Sequence, residues 1–173
     1  MEYKIRTEQA KDIEQVRTVV RAAFPGDAES RLVDVLRANG KAIISLVAVN
    51  GDHVVGHILF SRVSIISSGA PAPSSDVSGI GLAPVAVRPD VQSQGIGSQL
   101  IREGLRFCRE LGYDYCVVLG SPEYYQRFGF EKASVHGIQN EYGVDGEFMI
   151  VHFSDRRVIG LAKYEIEFAE LSV

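Results

Sequence analysis

GLAPVAVRPDVQSQGIGSQLIREGLRFCREL, residues 81–111, decides the fold. It reads as a buried strand, a glycine-punctuated turn and an amphipathic helix. Residues 84–87 are an apolar run ending at Arg88-Pro89, and a residue before proline is pushed away from the helical region, so the strand is expected to stop there. The turn spans 90–96. From Gly97 onward Leu100, Ile101, Leu105, Cys108 and Leu111 recur at three- and four-residue intervals with Arg102, Glu103, Arg106, Arg109 and Glu110 between them. Gly112 follows where a helix-ending glycine belongs.

A helix start leaves backbone N–H groups unpaired and carries about half a positive charge, so this turn is suited to an anion. Gly95 and Gly97 carry no Cβ and can take positive φ at little steric cost. Two common phosphate loops are excluded. A dinucleotide fingerprint requires a third glycine where Leu100 stands, and a P-loop requires a Gly-Lys-Ser/Thr that the segment lacks.

Working outward, residues 3–6 alternate as a short strand. A helix is predicted from Asp12 with Ile13, Val16, Val19, Val20 and Ala23 on one face, ending near Pro25-Gly26. Asp27 is the expected N-cap of a second helix carrying Leu32, Val35 and Leu36, closed by Asn39-Gly40. Residues 43–49 and 53–66 are strands about an Asn50-Gly51-Asp52 hairpin turn. The Ser-, Pro- and Gly-rich stretch 67–78 is a mobile connection. Downstream of the central helix, 115–119 is a buried strand, completing a βαβ crossover. A short helix over 123–128 follows, then strands over 148–153 and 161–168.

The chain has 173 residues, is 46% hydrophobic and carries a formal charge of −4, which fits one domain over 1–173 with a sizeable core and argues against a general nucleic-acid binder. Its first residues lack a signal-peptide pattern and no apolar run has membrane length, so a cytoplasmic protein without membrane partners is expected. Cys108 and Cys116 have neither the count nor the spacing of a disulfide framework or zinc site, and are read as reduced packing residues. His53 and His57 would share a strand face, but no third ligand accompanies them and no metal is expected.

Gln92-Ser93-Gln94-Gly95-Ile96-Gly97 matches Q/R-x-x-G-x-G/A, and Tyr125-Gln126-Arg127-Phe128-Gly129-Phe130 matches Tyr-x-x-x-Gly-Phe. Together, in this order of elements, they resemble the GNAT (GCN5-related) N-acetyltransferase superfamily over nearly the full chain. The run 122–130 and Glu147-Phe148-Met149 are similar to its YhbS-like branch of bacterial acetyltransferases. The resemblance implies an α/β (α+β) fold: a mixed, mostly antiparallel sheet of about six to seven strands flanked by about four helices, with its central βαβ unit splayed for coenzyme A. It implies acetyl-coenzyme A as cosubstrate and a primary amine, on a small molecule or a protein, as acceptor, with direct attack in a ternary complex. A homodimer is compatible with it.

Residue by residue, the resemblance implies that the Val85 N–H points at the acetyl carbonyl, that Val85, Ala86 and Val87 border the pantetheine arm, and that Gln92, Ser93, Gln94, Gly95, Ile96 and Gly97 hold the pyrophosphate. Ser98 and Ser121 complete the cofactor-binding set. Tyr125 would be the general acid, with Tyr124 its rival. Pro84 supports the splay, since proline deletes a ladder donor. One departure matters: where some members carry a glutamate on the central strand, this chain has Gly81, so the base is water or another residue, with His57, Asp76 and Glu29 as candidates. That departure keeps open a non-catalytic acyl-coenzyme A sensor or interaction module.

Overall fold

In the computed structural model, residues 2–73 and 76–171 are described; Ser74 and Ser75, inside the connection expected over 67–78, lie outside them. Strand β1 (Lys4–Thr7) leads through a 3-10 turn into α1 (Ile13–Ala23) and α2 (Ala28–Ala38). Then come β2 (Ile44–Asn50), β3 (His53–Ile66), β4 (Gly79–Val87), α3 (Ile96–Glu110), β5 (Tyr115–Leu119) and α4 (Pro122–Tyr125). The chain continues through β6 (Glu131–Lys132), β7 (Ile138–Asn140), β8 (Phe148–His152) and β9 (Gly160–Lys163).

The main path of the sheet runs β1-β2-β3-β4-β5-β8-β6, and β9 pairs with both β3 and β7. Pairing is antiparallel except for β4 with β5 and β7 with β9. The parallel pair is the predicted βαβ crossover, with α3 as its helix. Apolar periodicity explains which face each helix takes. Val16, Val19 and Val20 of α1 and Leu32, Val33 and Leu36 of α2 pack on one side of the sheet. Ile96, Leu100, Ile101, Leu105 and Cys108 of α3, with Tyr125, pack on the other. Both cysteines are buried and unpaired. Enclosing side chains such as Leu36, Leu46, Ile58 and Phe60 contributes about 1.5–3 kcal/mol each.

Several expectations are corrected. Among the described residues the sheet has nine strands, two more than the sequence pattern shows, because β6 and β7, of two and three residues, are too short to show a periodicity. The last strand stops at Lys163; the chain leaves the sheet at Tyr164 and forms a 3-10 turn over Ile166–Glu170, so Phe168 packs in the core from a turn. Asp27 holds the N-cap position of α2 without a side-chain cap and pairs with Arg31 at 3.4 Å. His53 and His57 do not share an environment. The β2–β3 register slips between Ala48 and Val49, so the bulge breaks the alternation between the two histidines, leaving His53 exposed and His57 wholly enclosed. Among the described residues no helix is long and apolar enough to cross a membrane, and no group of three metal-ligating side chains gathers.

Candidate active site at the strand gap

The site grows from an interrupted ladder. β4 pairs with β5 only over four rungs, from Gly79 with Tyr115 to Leu82 with Val118, while its pairing with β3 continues to Gly56 with Val87. Val85, Ala86 and Val87 therefore have a partner on one side only, and Ala83 and Pro84 fall where the β3–β4 register shifts. The Arg88 N–H donates to the Val55 carbonyl at 2.8 Å, so by alternation Ala86 faces β3, whereas Val85 and Val87 turn their N–H and C=O groups into the gap. The Val87 carbonyl bears this out by accepting a bond from Gln92 Nε2 at 2.9 Å. A strand-like ligand seeking that carbonyl meets a side chain that can swing away. Ala86, grouped with its neighbours as cofactor-binding, has its side chain in the core and its amide toward β3.

At the far end of β4, the turn is built by two left-handed residues, Ser93 (φ 63°) and Gly95 (φ 86°), the latter standing at the N-cap of α3. Gln99 donates the first helical bond, to the Gly95 carbonyl at 3.0 Å, which leaves the N–H groups of Ile96, Gly97 and Ser98 without intrahelical acceptors. No acidic residue sits in that first turn. Gly97 has helical geometry, and its glycine matters for space: a Cβ there would lie 3.4 Å from Tyr124 Oη and 3.7 Å from Val87 Cγ2, narrowing the cleft mouth.

That cleft, about 470 Å³, is lined by Val87, Gln92, Ser93, Gly95, Ile96, Gly97, Ser98, Tyr124 and Arg127. Tyr124 Oη lies 3.4 Å from Ser98 Oγ, and the Arg127 guanidinium lies over the Tyr124 ring at 4.4 Å while its Nε donates to the Tyr124 carbonyl. Oriented amides, a helix N-terminus and one guanidinium fit a pyrophosphate. Arg127 escaped the sequence reading although it lies inside the tyrosine motif; a cation one turn beyond the tyrosines was the available signal. Gln94 is held outward by Tyr3, whose hydroxyl donates to Gln94 Oε1 at 3.0 Å, and Ser121, exposed at the start of α4, does not line the cleft.

This geometry and the sequence agree on one family. A family model described as an acetyltransferase (GNAT) domain matches residues 4–133. The chain belongs to the GNAT N-acetyltransferases. It is 34% identical over 169 residues to the uncharacterized N-acetyltransferase YhbS of Escherichia coli K12, covering 95% of this chain and 97% of that one. A crystal structure of E. coli YhbS in complex with CoA superposes with a TM-score of 0.90 at 32% identity, covering 100% and 95% of the two chains. A GNAT acetyltransferase from Brucella melitensis in complex with acetyl-CoA gives 0.79 at 35% identity, covering 96% and 98%.

Within this GNAT frame the two tyrosines differ sharply. Tyr124 borders the cleft at the start of α3. Tyr125 is buried, edge-on to Phe130 at 5.7 Å and to Tyr124 at 5.1 Å, and its hydroxyl has no hydrogen-bond partner among the described residues. Burial, with smaller contributions from Tyr124 and Cys116, pushes the Tyr125 phenol well above the usual tyrosine range.

The missing strand carboxylate has a steric reason. A Cβ at Gly81 would stand 2.8 Å from Val63 Cγ2 and 2.9 Å from Tyr164 Cε1, so the Tyr164 ring fills the space a side chain would need. Of the three base candidates, Asp76 is exposed, three residues before β4 and thus at the end away from the gap. His57 is wholly enclosed. Its Nε2 lies 2.8 Å from Ser45 Oγ, and Ser45 in turn donates to Glu8 Oε2; His57 Nδ1 has no partner. With the serine proton committed to Glu8, His57 must carry its own on Nε2, leaving a bare acceptor lone pair at Nδ1. Burial outweighs the pull of Glu8 and lowers the His57 pKa, so the ring is neutral. Burial alone would raise the Glu8 carboxyl, but hydrogen bonds from His57 and Ser45 and the Arg37 guanidinium at 2.5 Å hold it at about 2. The network ties β1, β2 and β3 to α2; it is structural. Glu29, the third candidate, stands in the first turn of α2 and borders an apolar pocket with Ala83 and Leu119.

Proposed function

We propose that the chain transfers the acetyl group of acetyl-coenzyme A to a primary amine by direct attack within a ternary complex. The observation that carries this reading is the β4 edge at 83–87, left without a β5 partner between a phosphate seat at α3 and a pocket at Leu119. A strand rises about 3.3 Å per residue, so Ala83 to Val87 spans about 13 Å, over which an extended pantetheine arm can lie as a substitute strand.

The amine lone pair attacks the thioester carbonyl carbon. Negative charge collects on the carbonyl oxygen, where the Val85 N–H, turned into the gap, donates to it; one such donor is worth about 100- to 1000-fold in rate. The carbon–sulfur bond then breaks, the thiolate takes a proton from Tyr125 Oη, the proton shed by the amine passes to water, and the Tyr125 phenolate recovers a proton from water. The phenol is protonated at neutral pH and so has a proton to give, while the burial that raises its pKa makes it a weaker acid than an exposed tyrosine. Arg127 and the amides of Ile96, Gly97 and Ser98 would hold the phosphates.

The test is release of coenzyme A thiol across a panel of amines. Amine-dependent release is expected. Tight acetyl-coenzyme A binding with no release for any amine would replace this reading with a non-catalytic acyl-coenzyme A sensor, which Gly81 in place of a strand carboxylate favours.

A further inference from the structure

A second cavity meets the same gap on the α1–α2 side of the sheet. It measures about 190 Å³, and its walls include Leu82, Ala83, Leu119, Tyr164 and Phe168, with Glu29 as the one charged residue among the described residues that line it. Ala83 and Leu119 are the first residues of β4 and β5 beyond their last shared rung, so the cavity opens where the strands part. Glu29 Oε2 is shut from solvent and has no hydrogen-bond partner. A carboxylate can only accept, and an enclosed oxygen without a donor is a standing cost that a ligand N–H removes. Tyr164 is only 9% exposed, and its hydroxyl is likewise unpartnered. Glu141 accepts a bond from the Tyr164 N–H at 3.2 Å, and Lys41 is taken by Glu165 and Glu167.

We propose that this cavity is the acceptor subsite and that it takes a primary monoamine with an apolar carbon skeleton, its ammonium group received by Glu29 and giving up one proton to water before the free amine attacks. The proposal rests on the acetyltransferase reading. Size and charge set the class. A dry cavity of about 150 Å³ accepts a benzene-sized group, so this one has room for an aromatic or branched aliphatic body. Among the described residues no cation lines it to hold a substrate carboxylate, which disfavours amino acids, and no second anion lines it to hold a second ammonium, which disfavours polyamines. The strand position that Gly81 leaves bare is covered by Tyr164, a wall of this same cavity, so the carboxylate of the site comes from α2.

The experiment measures thiol release by the full chain with 2-phenylethylamine, isoamylamine, spermidine and L-lysine, and separately the melting shift that 2-phenylethylamine gives to the CoA-bound protein. The monoamines should be turned over with the lowest KM. Glu29→Gln, isosteric and half-buried, should raise their KM about 10- to 100-fold, the worth of one charge-assisted bond, with the acetyl-coenzyme A KM unchanged. Glu29→Asp should restore part of the loss. Preference for spermidine or lysine with Glu29→Gln indifferent overturns the subsite and leaves the acetyltransferase reading standing. A melting shift that Glu29→Gln abolishes, with no thiol release, supports the subsite and overturns transfer. Neither release nor shift overturns both.

Discussion

Replacing Gly97 by valine tests the phosphate seat without threatening the fold. The position is helical and not left-handed, so a side chain meets no backbone strain, and valine is if anything a better helix former than glycine by a few tenths of a kcal/mol. A Cβ fits at 3.4 Å from Tyr124 Oη and 3.7 Å from Val87 Cγ2, so alanine should bind nearly as the parent does. Valine adds two methyl groups one bond further into the cleft, over the amides of Ile96, Gly97 and Ser98. A charge-assisted hydrogen bond contributes about 1.5–3 kcal/mol. Displacing the pyrophosphate from two of them costs roughly 3–6 kcal/mol, or about a hundredfold to ten-thousandfold in Kd. Titration calorimetry with acetyl-coenzyme A and with desulfo-coenzyme A should show the same loss for both, with the melting temperature of the free protein within a few degrees of the parent. Equal affinity in Gly97→Val and the parent would refute the placement of the phosphates.

The other expectations follow from single groups. Tyr125→Phe should lower kcat about 100- to 10,000-fold with acetyl-coenzyme A affinity little changed, and Tyr124→Phe should be milder; full kcat in Tyr125→Phe would make it a packing residue. In the parent, kcat should rise with pH as the amine deprotonates and fall only above the ordinary tyrosine range near 10, because burial raises the Tyr125 phenol; an alkaline limb well below 10 would contradict that assignment. Glu8 and His57 both have folded pKa values below their unfolded ones, so each stabilises the protein at higher pH. His57's share should be lost as pH falls below about 6.5 and Glu8's between about 4.3 and its folded value of about 2, with Glu8→Gln removing the second loss in acid-unfolding curves. Gly81→Glu should not supply a base: with its Cβ inside contact of Val63 and Tyr164, it should cost about 1–3 kcal/mol in denaturant unfolding, and unchanged stability would show that Tyr164 yields.

The sequence by itself determined what depends on neighbours along the chain. The strand–turn–helix at residues 81–111, the left-handed glycine at 95, the apolar stripe of α3 and the tyrosine turn ended by Gly129 are local patterns, each written in one short run of consecutive residues. Tertiary structure alone decided the rest. The bulge in β3 arises from pairing with β2, and it sends His57 into the core while His53 stays outside. β7 exists because β9 lies beside it, since three residues carry no periodicity of their own. Glu29 was legible as a carboxylate on a helix, but its place beside Ala83 and Leu119 depends on α2 packing across the sheet. The absence of a side chain at Gly81 was plain in the sequence; that Tyr164 fills the space, from 83 residues further along the chain, is a fact of packing, which no spacing between residues encodes.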